Sequence, residues 1–312
     1  MPWFWQILLL MVFLTTSSFT IYANETEKEL LQDTALLAEE VREFGKTMGI
    51  QPTGALSKVS SEATPHSMIS IWIQKKGTLA LYRPIDITLQ LTFSDEKEKI
   101  PVSGISFWDD GQYSFFYRTT NQFAREESVI TAAFARRPKW RKIETIFHEA
   151  LHGNLSLVWE NEESLVTPLA YFAAEKFLEE KGHHIALKDL RRETEETRKL
   201  SRELNDLAKE ALKIFSAAAE PLEEARKKVQ RLILSYLTYA LFCGCQSQLD
   251  ILEARLSHDL AYYKYFDRIA SLYEKMGDLT MLVEDLKKAP SDTETLEKFL
   301  GELELRYERP IP

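Results

Sequence analysis

The feature that most limits the fold of this chain is a change of residue pattern near position 138. From residue 67 to about residue 119, short runs of β-branched and aromatic residues alternate with Gly, Asp and Lys, which is typical of antiparallel strands. A further such run, SVITAAFA, occupies residues 128–135, and no later segment has a strand pattern. Early strands followed by a long helical part predict an α+β fold with a small, mainly antiparallel sheet.

Helical patterns lie on both sides of the predicted strands. After the first 23 residues, apolar side chains at helical spacing predict one amphipathic helix that ends near Gly45 or Gly49. From Lys181 to about Leu232 charged residues dominate, interrupted only at Pro221, so we predict a long helical hairpin with a solvated charged face. The chain then divides into three parts: an N-terminal helix and loop (24–65), the sheet and the motif discussed below (66–178), and a helical part (179–312).

The amino-terminal segment predicts export. The first 23 residues contain no charged side chain, and Trp3 to Leu14 is apolar except for Gln6. This is the pattern of a signal peptide, with an acceptable cleavage site at Ala23, or of an uncleaved membrane anchor. In either case we expect residues 24–312 to be periplasmic or to face outward from a membrane.

Composition limits the partners and the role of the cysteines. The sequence has 39 Lys and Arg against 48 Asp and Glu, a net charge of -9, which disfavours nucleic acid as a partner. Cys243 and Cys245 are the only cysteines, too few for a disulfide framework. We expect them to be thiols without a catalytic role, with a local disulfide as the alternative.

The segment WRKIETIFHEALHGNL carries the strongest chemical signal. It contains His148, Glu149 and His152 in the H-E-x-x-H arrangement, with Gly153 placed to end a helix. Positions four apart share one helix face, so both imidazoles can reach a single metal ion, and Glu149 projects beside them. The motif therefore predicts a zinc site with Glu149 as a general base toward water.

A catalytic zinc ion needs a third protein ligand. The sequence lacks the histidine that metzincins carry six residues after the motif, so a carboxylate is expected instead. The candidates are Glu160, Glu162 and Glu163, which stand at the start of a strongly apolar helix. We prefer Glu163, because Leu165 and Val166 then pack inward behind it.

These two segments together resemble a bacterial family of predicted zinc aminopeptidases. Members combine H-E-x-x-H with a downstream N-E-S-F-A-like segment, matched here by IFHEALHGNL and NEESLVTPLAYF. The likeness runs from about residue 66 onward and is strongest at residues 143–178 and 250–283. The chain differs at two places, since Glu162 replaces the usual Asn, and the family's N-N-A-x-L element is LEARL at residues 252–256.

The resemblance implies a zincin-type active-site helix in a gluzincin-like metallopeptidase. His148, His152 and Glu163 would then bind zinc, and Glu149 would be the catalytic base. A hydrogen-bond donor to the developing oxyanion is also required. The family has a tyrosine at about the position where this chain has Tyr262 and Tyr263.

The candidate donors are therefore Tyr262 and Tyr263. Packing among the C-terminal helices is the alternative explanation for both, and the nearby His258 is a further candidate donor.

The function expected from the sequence is that of an exported zinc-dependent peptidase, an aminopeptidase by the resemblance, whose substrate is a peptide. Residues 128–135 are a candidate edge strand along which substrate backbone can pair. The rival interpretation is a non-catalytic exported helical protein that binds a partner through its charged hairpin. The sequence does not determine the oligomeric state.

Overall fold

The computed structural model describes residues 27–60, 67–79, 90–91, 111–121, 128–155, 157, 159–217, 220–244 and 248–308. The predicted signal peptide or anchor, residues 1–23, lies outside these ranges. The elements in chain order are α1 (27–46), β1 (Ser67–Lys75), β2 (Gln90–Leu91), β3 (Tyr113–Asn121), α2 (Ala132–Ala135), α3 (Lys139–His152), α4 (Trp159–Glu180), α5 (His184–Ser216), α6 (Leu222–Ile233), α7 (Leu237–Cys243), α8 (Leu252–Tyr263), α9 (Phe266–Met276), α10 (Leu279–Leu286) and α11 (Thr293–Tyr307).

The described strands form one small antiparallel sheet in the order β2-β1-β3. β1 and β3 pair over their whole length, from Ser67 opposite Asn121 to Lys75 opposite Tyr113, whereas β2 adds only two residues. α8 packs against β1 and β3. With the helices that follow, this arrangement is an α+β fold, as the sequence predicts.

The strand predicted over residues 128–135 is wrong. Ile130 makes only a single bridge, to Val59, and Ala132–Ala135 is a short helix. Thr131 causes the difference, because its side chain accepts a hydrogen bond of 3.1 Å from the backbone N–H of Phe134 and so caps the helix. This segment therefore does not offer substrate the edge strand that the sequence suggested.

The antiparallel helices α3 and α4 lie in the centre of the larger apolar core. α4 is buried over most of its surface, from Asn161 to Phe172 with the exception of Glu162, because most of these residues are apolar. Helices α1, α9, α10 and α11 contribute further apolar side chains to the same core. The predicted metal-binding segments thus belong to the most enclosed part of the molecule.

The charged segment after α4 forms the long helix α5 and the shorter helix α6, separated by a turn that contains Pro221. The apolar stripe of α5 is buried in a second core with α6, α7 and α8. Many of its charges lie in exposed pairs three residues apart, such as Lys213 with Glu210. Across the part of the chain that the structure describes, no helix is both long enough and apolar enough to cross a membrane.

A buried ion pair joins α6 to α8. The Arg226 guanidinium donates to both carboxylate oxygens of Glu253, at 2.7 and 3.1 Å. The backbone N–H of Gly77 also donates to Glu253, at 3.0 Å, so the loop after β1 is held at the same point. The two side chains are 2% and 0% exposed, so both charges are removed from water and are stabilised by this pair together with the bonds from Arg226 to Glu223 and to the Leu249 carbonyl.

Cys243, at the end of α7, is disulfide-bonded. The prediction that it is a free thiol is therefore wrong, and the alternative of a disulfide applies to it. Cys245, the other cysteine of the sequence, lies outside the described residues.

Candidate metal centre

The turn after α3 sets the position of the site. Gly153 ends the helix in close contact with Thr53, since a Cβ atom at this position would lie 2.5 Å from the Thr53 side chain. Asn154 then fixes the turn to the loop after α1, because its amide donates to the carbonyl of Gln51 at 2.9 Å and accepts from the Gln51 N–H at 2.8 Å. This anchored turn lets α4 return antiparallel to α3.

His148, His152 and Glu163 meet where the two helices lie side by side. The Nε2 atoms of the two histidines are 3.2 Å apart. Glu163 reaches both rings, with one carboxylate oxygen 3.2 Å from Nε2 of His148 and the other 3.6 Å from Nε2 of His152. One ligand atom from each of the three residues lies within 4.8 Å of the others, so this group can hold a metal ion.

Burial distinguishes this group from an exposed acidic cluster. The side chains of His148, His152 and Glu163 are 14%, 18% and 9% exposed. The two imidazole rings meet edge to face, with an interplanar angle of 80°. In this geometry both Nε2 lone pairs can point toward a common centre near the carboxylate.

Glu162 approaches the other side of His152. Its carboxylate oxygen lies 3.4 Å from Nδ1 of His152, the ring nitrogen that does not face Glu163. Adjacent residues on a helix project about 100° apart, which is why Glu162 and Glu163 reach different nitrogens of the same ring. Glu162 therefore lies beside the ring of His152 but outside the group of three candidate ligand atoms.

Glu149, the predicted base, directly follows His148 on α3. It is 5% exposed, and no other acidic residue of the H-E-x-x-H segment competes with it. Moving a carboxylate out of water is costly unless a charge or hydrogen bond compensates it. A buried carboxylate in this position therefore suits a group with a specific chemical role.

A second polar group lies farther along the same pair of helices. Arg141 donates to the hydroxyl of Tyr171 at 3.1 Å and lies 3.4 Å from Glu144. The nearby Glu144 charge is the main cause of the raised pKa of Arg141, and burial raises the pKa of Tyr171. The arginine therefore stays charged and the phenol stays protonated at neutral pH.

Sequence reasoning did not identify Arg141, Glu144 or Tyr171. A signal was present, because Glu144 precedes His148 by four residues, the same spacing that separates His148 from His152. The three side chains of α3 thus lie along one helix face.

The predicted oxyanion donors, Tyr262 and Tyr263, lie in the last turn of α8. Tyr262 packs against the ring of His258 in a tilted arrangement, with centroids 5.0 Å apart. Tyr263 meets Phe242 edge to face at 5.4 Å.

His258 is buried and makes contacts that the sequence does not predict. It is 6% exposed and its Nδ1 lies 2.7 Å from the carboxylate of Asp259, which also accepts a hydrogen bond from Tyr239. The ring also packs edge to face on Trp72, at 4.7 Å. This histidine therefore holds α8 against β1.

Comparison of the chain with protein-family models, with curated proteins and with solved structures finds no match in any of the three. Any functional assignment therefore rests on the chemistry of the chain's own side chains.

Proposed function

We propose that the chain is an exported zinc metallopeptidase that hydrolyses peptide bonds. The observation that carries the proposal is the spacing of the three candidate ligand atoms. Tetrahedral zinc with bonds of about 2.0–2.1 Å requires ligand atoms about 3.3 Å apart. The two histidine Nε2 atoms are 3.2 Å apart, which agrees with this value. One oxygen of Glu163 lies 3.2 Å from Nε2 of His148 and its other oxygen 3.6 Å from Nε2 of His152, and one ligand atom from each residue lies within 4.8 Å of the others.

The donor set fits zinc chemically as well as geometrically. Two imidazole nitrogens and one carboxylate oxygen form the ligand set of zinc hydrolases that keep one position open. When bound, zinc would polarise a carbonyl oxygen and make water more acidic. His148 and His152 would hold it as neutral imidazoles through Nε2, and Glu163 would neutralise one positive charge.

Glu149 supplies the proton transfers of the proposed reaction. Its carboxylate accepts a proton from the water that attacks the peptide carbonyl carbon. It then donates this proton to the nitrogen of the leaving amine, so that the C–N bond breaks without release of an unstable amide anion. Burial of Glu149 at 5% exposure keeps bulk water from competing for the proton.

Two further parts of the proposal come from the resemblance. Tyr262 or Tyr263 would donate a hydrogen bond to the developing oxyanion, and an exopeptidase that removes amino-terminal residues would be the specific activity. Export to the periplasm, or display on the outer side of a membrane, follows from the uncharged first 23 residues.

The test uses purified residues 24–312. We expect about one zinc ion per chain by elemental analysis and cleavage of a peptide library, with the cleavage positions distinguishing exopeptidase from endopeptidase. Glu149→Gln should retain zinc but lose at least about a hundredfold in kcat/KM, because it keeps the shape of the side chain and removes the base. Glu180→Gln, an exposed substitution at the end of α4, is the matched control.

Four results would contradict the proposal. A folded chain without metal would favour the partner-binding interpretation. Bound iron in place of zinc would indicate oxygen chemistry, because the same two-histidine, one-carboxylate set suits Fe(II). Zinc without cleavage, or Glu149→Gln with more than half of the parent activity, would exclude the proposed mechanism.

A further inference from the structure

Glu162 contacts the candidate metal centre from outside the group of three ligand atoms. One of its carboxylate oxygens lies 3.4 Å from Nδ1 of His152, and the two side chains are 15% and 18% exposed. A carboxylate that is largely removed from water is costly unless a partner compensates it. Among the acidic residues that the structure describes, Glu162 is the one that approaches this ring nitrogen.

The two nitrogens of His152 therefore meet two different carboxylates. Nε2 lies 3.2 Å from Nε2 of His148 and 3.6 Å from Glu163, on the side where the ligand atoms meet. Nδ1 lies on the opposite side of the ring and meets Glu162. When an imidazole binds a metal through one nitrogen, the other nitrogen carries the proton. A zinc ion at Nε2 would thus leave an N–H group at Nδ1, directed at an acceptor.

The first turn of α4 is fixed in rotation, so Glu162 and Glu163 do not exchange places. Asn161 is 3% exposed, and its amide nitrogen donates to the carbonyl of Ser291 at 2.8 Å. Its amide oxygen accepts from the hydroxyl of Thr293 at 3.3 Å. These bonds tie α4 to the start of α11 and the turn before it. Because successive helical residues point about 100° apart, Glu162 and Glu163 keep separate directions.

The contact between Glu162 and His152 is slightly longer than a hydrogen bond. N–H···O bonds have lengths of about 2.7–3.2 Å, so the observed 3.4 Å has to shorten by about 0.2 Å or more. Polar contacts at a reactive centre are often long without the ligand and shorten when it binds. A bond from Nδ1–H to a carboxylate is charge-assisted and roughly twice as strong as a neutral one, which favours this approach.

We propose that Glu162 is a positioning residue of the metal centre, whose carboxylate accepts a hydrogen bond from the Nδ1–H group of His152. This inference rests on the proposed zinc site. An outer carboxylate of this kind fixes the tautomer and the angle of the ring, and it makes the metal-binding nitrogen more basic. Glu162 thus holds Nε2 of His152 toward the point that it shares with His148 and Glu163.

The same carboxylate contributes little to the metal-free fold. Glu162 directly precedes Glu163 and lies at the same ring, so it adds a like charge to a largely buried group. Like charges at short range repel each other. Removing Glu162 should therefore weaken zinc binding without destabilising the protein that holds no zinc, and this difference separates a positioning role from a structural one.

The experiment measures the zinc affinity of residues 24–312 at pH 8 by competition with a chromophoric chelator. Glu162→Ala removes the acceptor, so affinity should fall about a hundredfold, whereas Glu162→Gln keeps an uncharged acceptor oxygen and should lose only about tenfold. The metal-free thermal midpoint of both variants should be equal to the parent's or higher. Nitrogen-15 NMR of the zinc-loaded parent should show a slowly exchanging Nδ1–H proton on His152, and Glu162→Ala should lose it.

Glu180→Ala is the matched control, because it removes the same charge from the exposed end of the same helix. It should leave zinc affinity and the His152 signal unchanged. The inference alone is overturned by parent-like zinc affinity in Glu162→Ala, by a lowered metal-free midpoint in that variant, or by an Nδ1–H signal that survives in it. Equal losses in Glu162→Gln and Glu162→Ala would also overturn it, because they would reduce the role of Glu162 to its charge. A parent protein that binds no zinc would instead overturn the proposed function, and the inference with it.

Discussion

Replacing the two neighbouring glutamates separately tests which of them binds the metal. Glu163 contacts Nε2 of both histidines, whereas Glu162 lies beside Nδ1 of His152 only. We expect Glu163→Gln to abolish zinc binding, because the amide removes the only anionic ligand. Glu162→Gln should weaken binding about 10–100-fold, as expected for the loss of a group that orients a ligand.

The expected size of the effect is measurable by thermal unfolding. Zinc at about 1,000 times its Kd stabilises a folded protein by about 4.1 kcal/mol. Unfolding entropy is about 2.1 cal/mol/K per residue, or about 0.6 kcal/mol per degree for about 290 residues, so zinc should raise the parent Tm by about 7 °C. At the same zinc concentration the rise should be about 2–5 °C for Glu162→Gln and below about 1 °C for Glu163→Gln.

The result that refutes this reasoning is the reverse order. If Glu162→Gln loses the zinc-dependent rise in Tm and Glu163→Gln keeps it, the ligand is Glu162. If both variants keep the full rise, the third ligand lies elsewhere, and Glu160 is the next residue to replace.

Two further predictions concern the fold. Glu253→Gln should lower the free energy of unfolding, measured by urea denaturation, by about 3–5 kcal/mol, because it leaves the buried Arg226 guanidinium with the exposed Glu223 as its remaining acidic partner among the described residues. The exposed Glu294→Gln should change it little, and equal effects of the two substitutions would contradict this. Burial alone would raise the pKa of Asp285, but hydrogen bonds from Lys288 and Tyr307 lower it below its ordinary value of 3.8. Asp285→Asn should therefore be less stable than the parent at pH 7, and the difference should shrink as pH falls below 3.8; a difference that stays constant with pH would exclude this role.

The helical part of the fold could be predicted from the sequence, because the residue patterns that indicate helices and their ends are local. Apolar spacing and Pro221 predict α5, α6 and the turn between them, and Gly153 predicts the end of α3. The strand expected at residues 128–135 does not form, because a single capping hydrogen bond from the backbone N–H of Phe134 to the Thr131 hydroxyl outweighs the β-branched composition of the run. Short segments are decided by such individual bonds, which residue patterns do not encode.

The candidate site could be predicted only in part, because some of its contacts depend on how the helices pack and not on local sequence patterns. His148 and His152 follow from a four-residue spacing, and Glu163 from its place at the start of the next apolar helix. The contact between Arg141 and Tyr171 joins residues 30 apart in the sequence, so it depends on the antiparallel packing of two helices. Glu162 and Glu163 are neighbours in the sequence, and their different targets become visible only when both rings are in place.

The buried polar residues at the interface between α3 and α4 are better explained by function than by stability. The interface runs through the main apolar core, yet it carries Arg141, Glu144, His148 and His152 on α3 and Glu163, Thr167 and Tyr171 on α4. Replacing buried ionic groups by apolar side chains of similar volume is often neutral or stabilising, so stability alone does not account for so many of them. The polar residues also follow one another along the two helices. Arg141 bonds to Tyr171 at one end, Thr167 has a hydroxyl without a described partner, and the three candidate ligand atoms of His148, His152 and Glu163 lie together at the other end. An interface with so many buried polar residues inside an apolar core is expected where the packing of two helices serves to hold an ion.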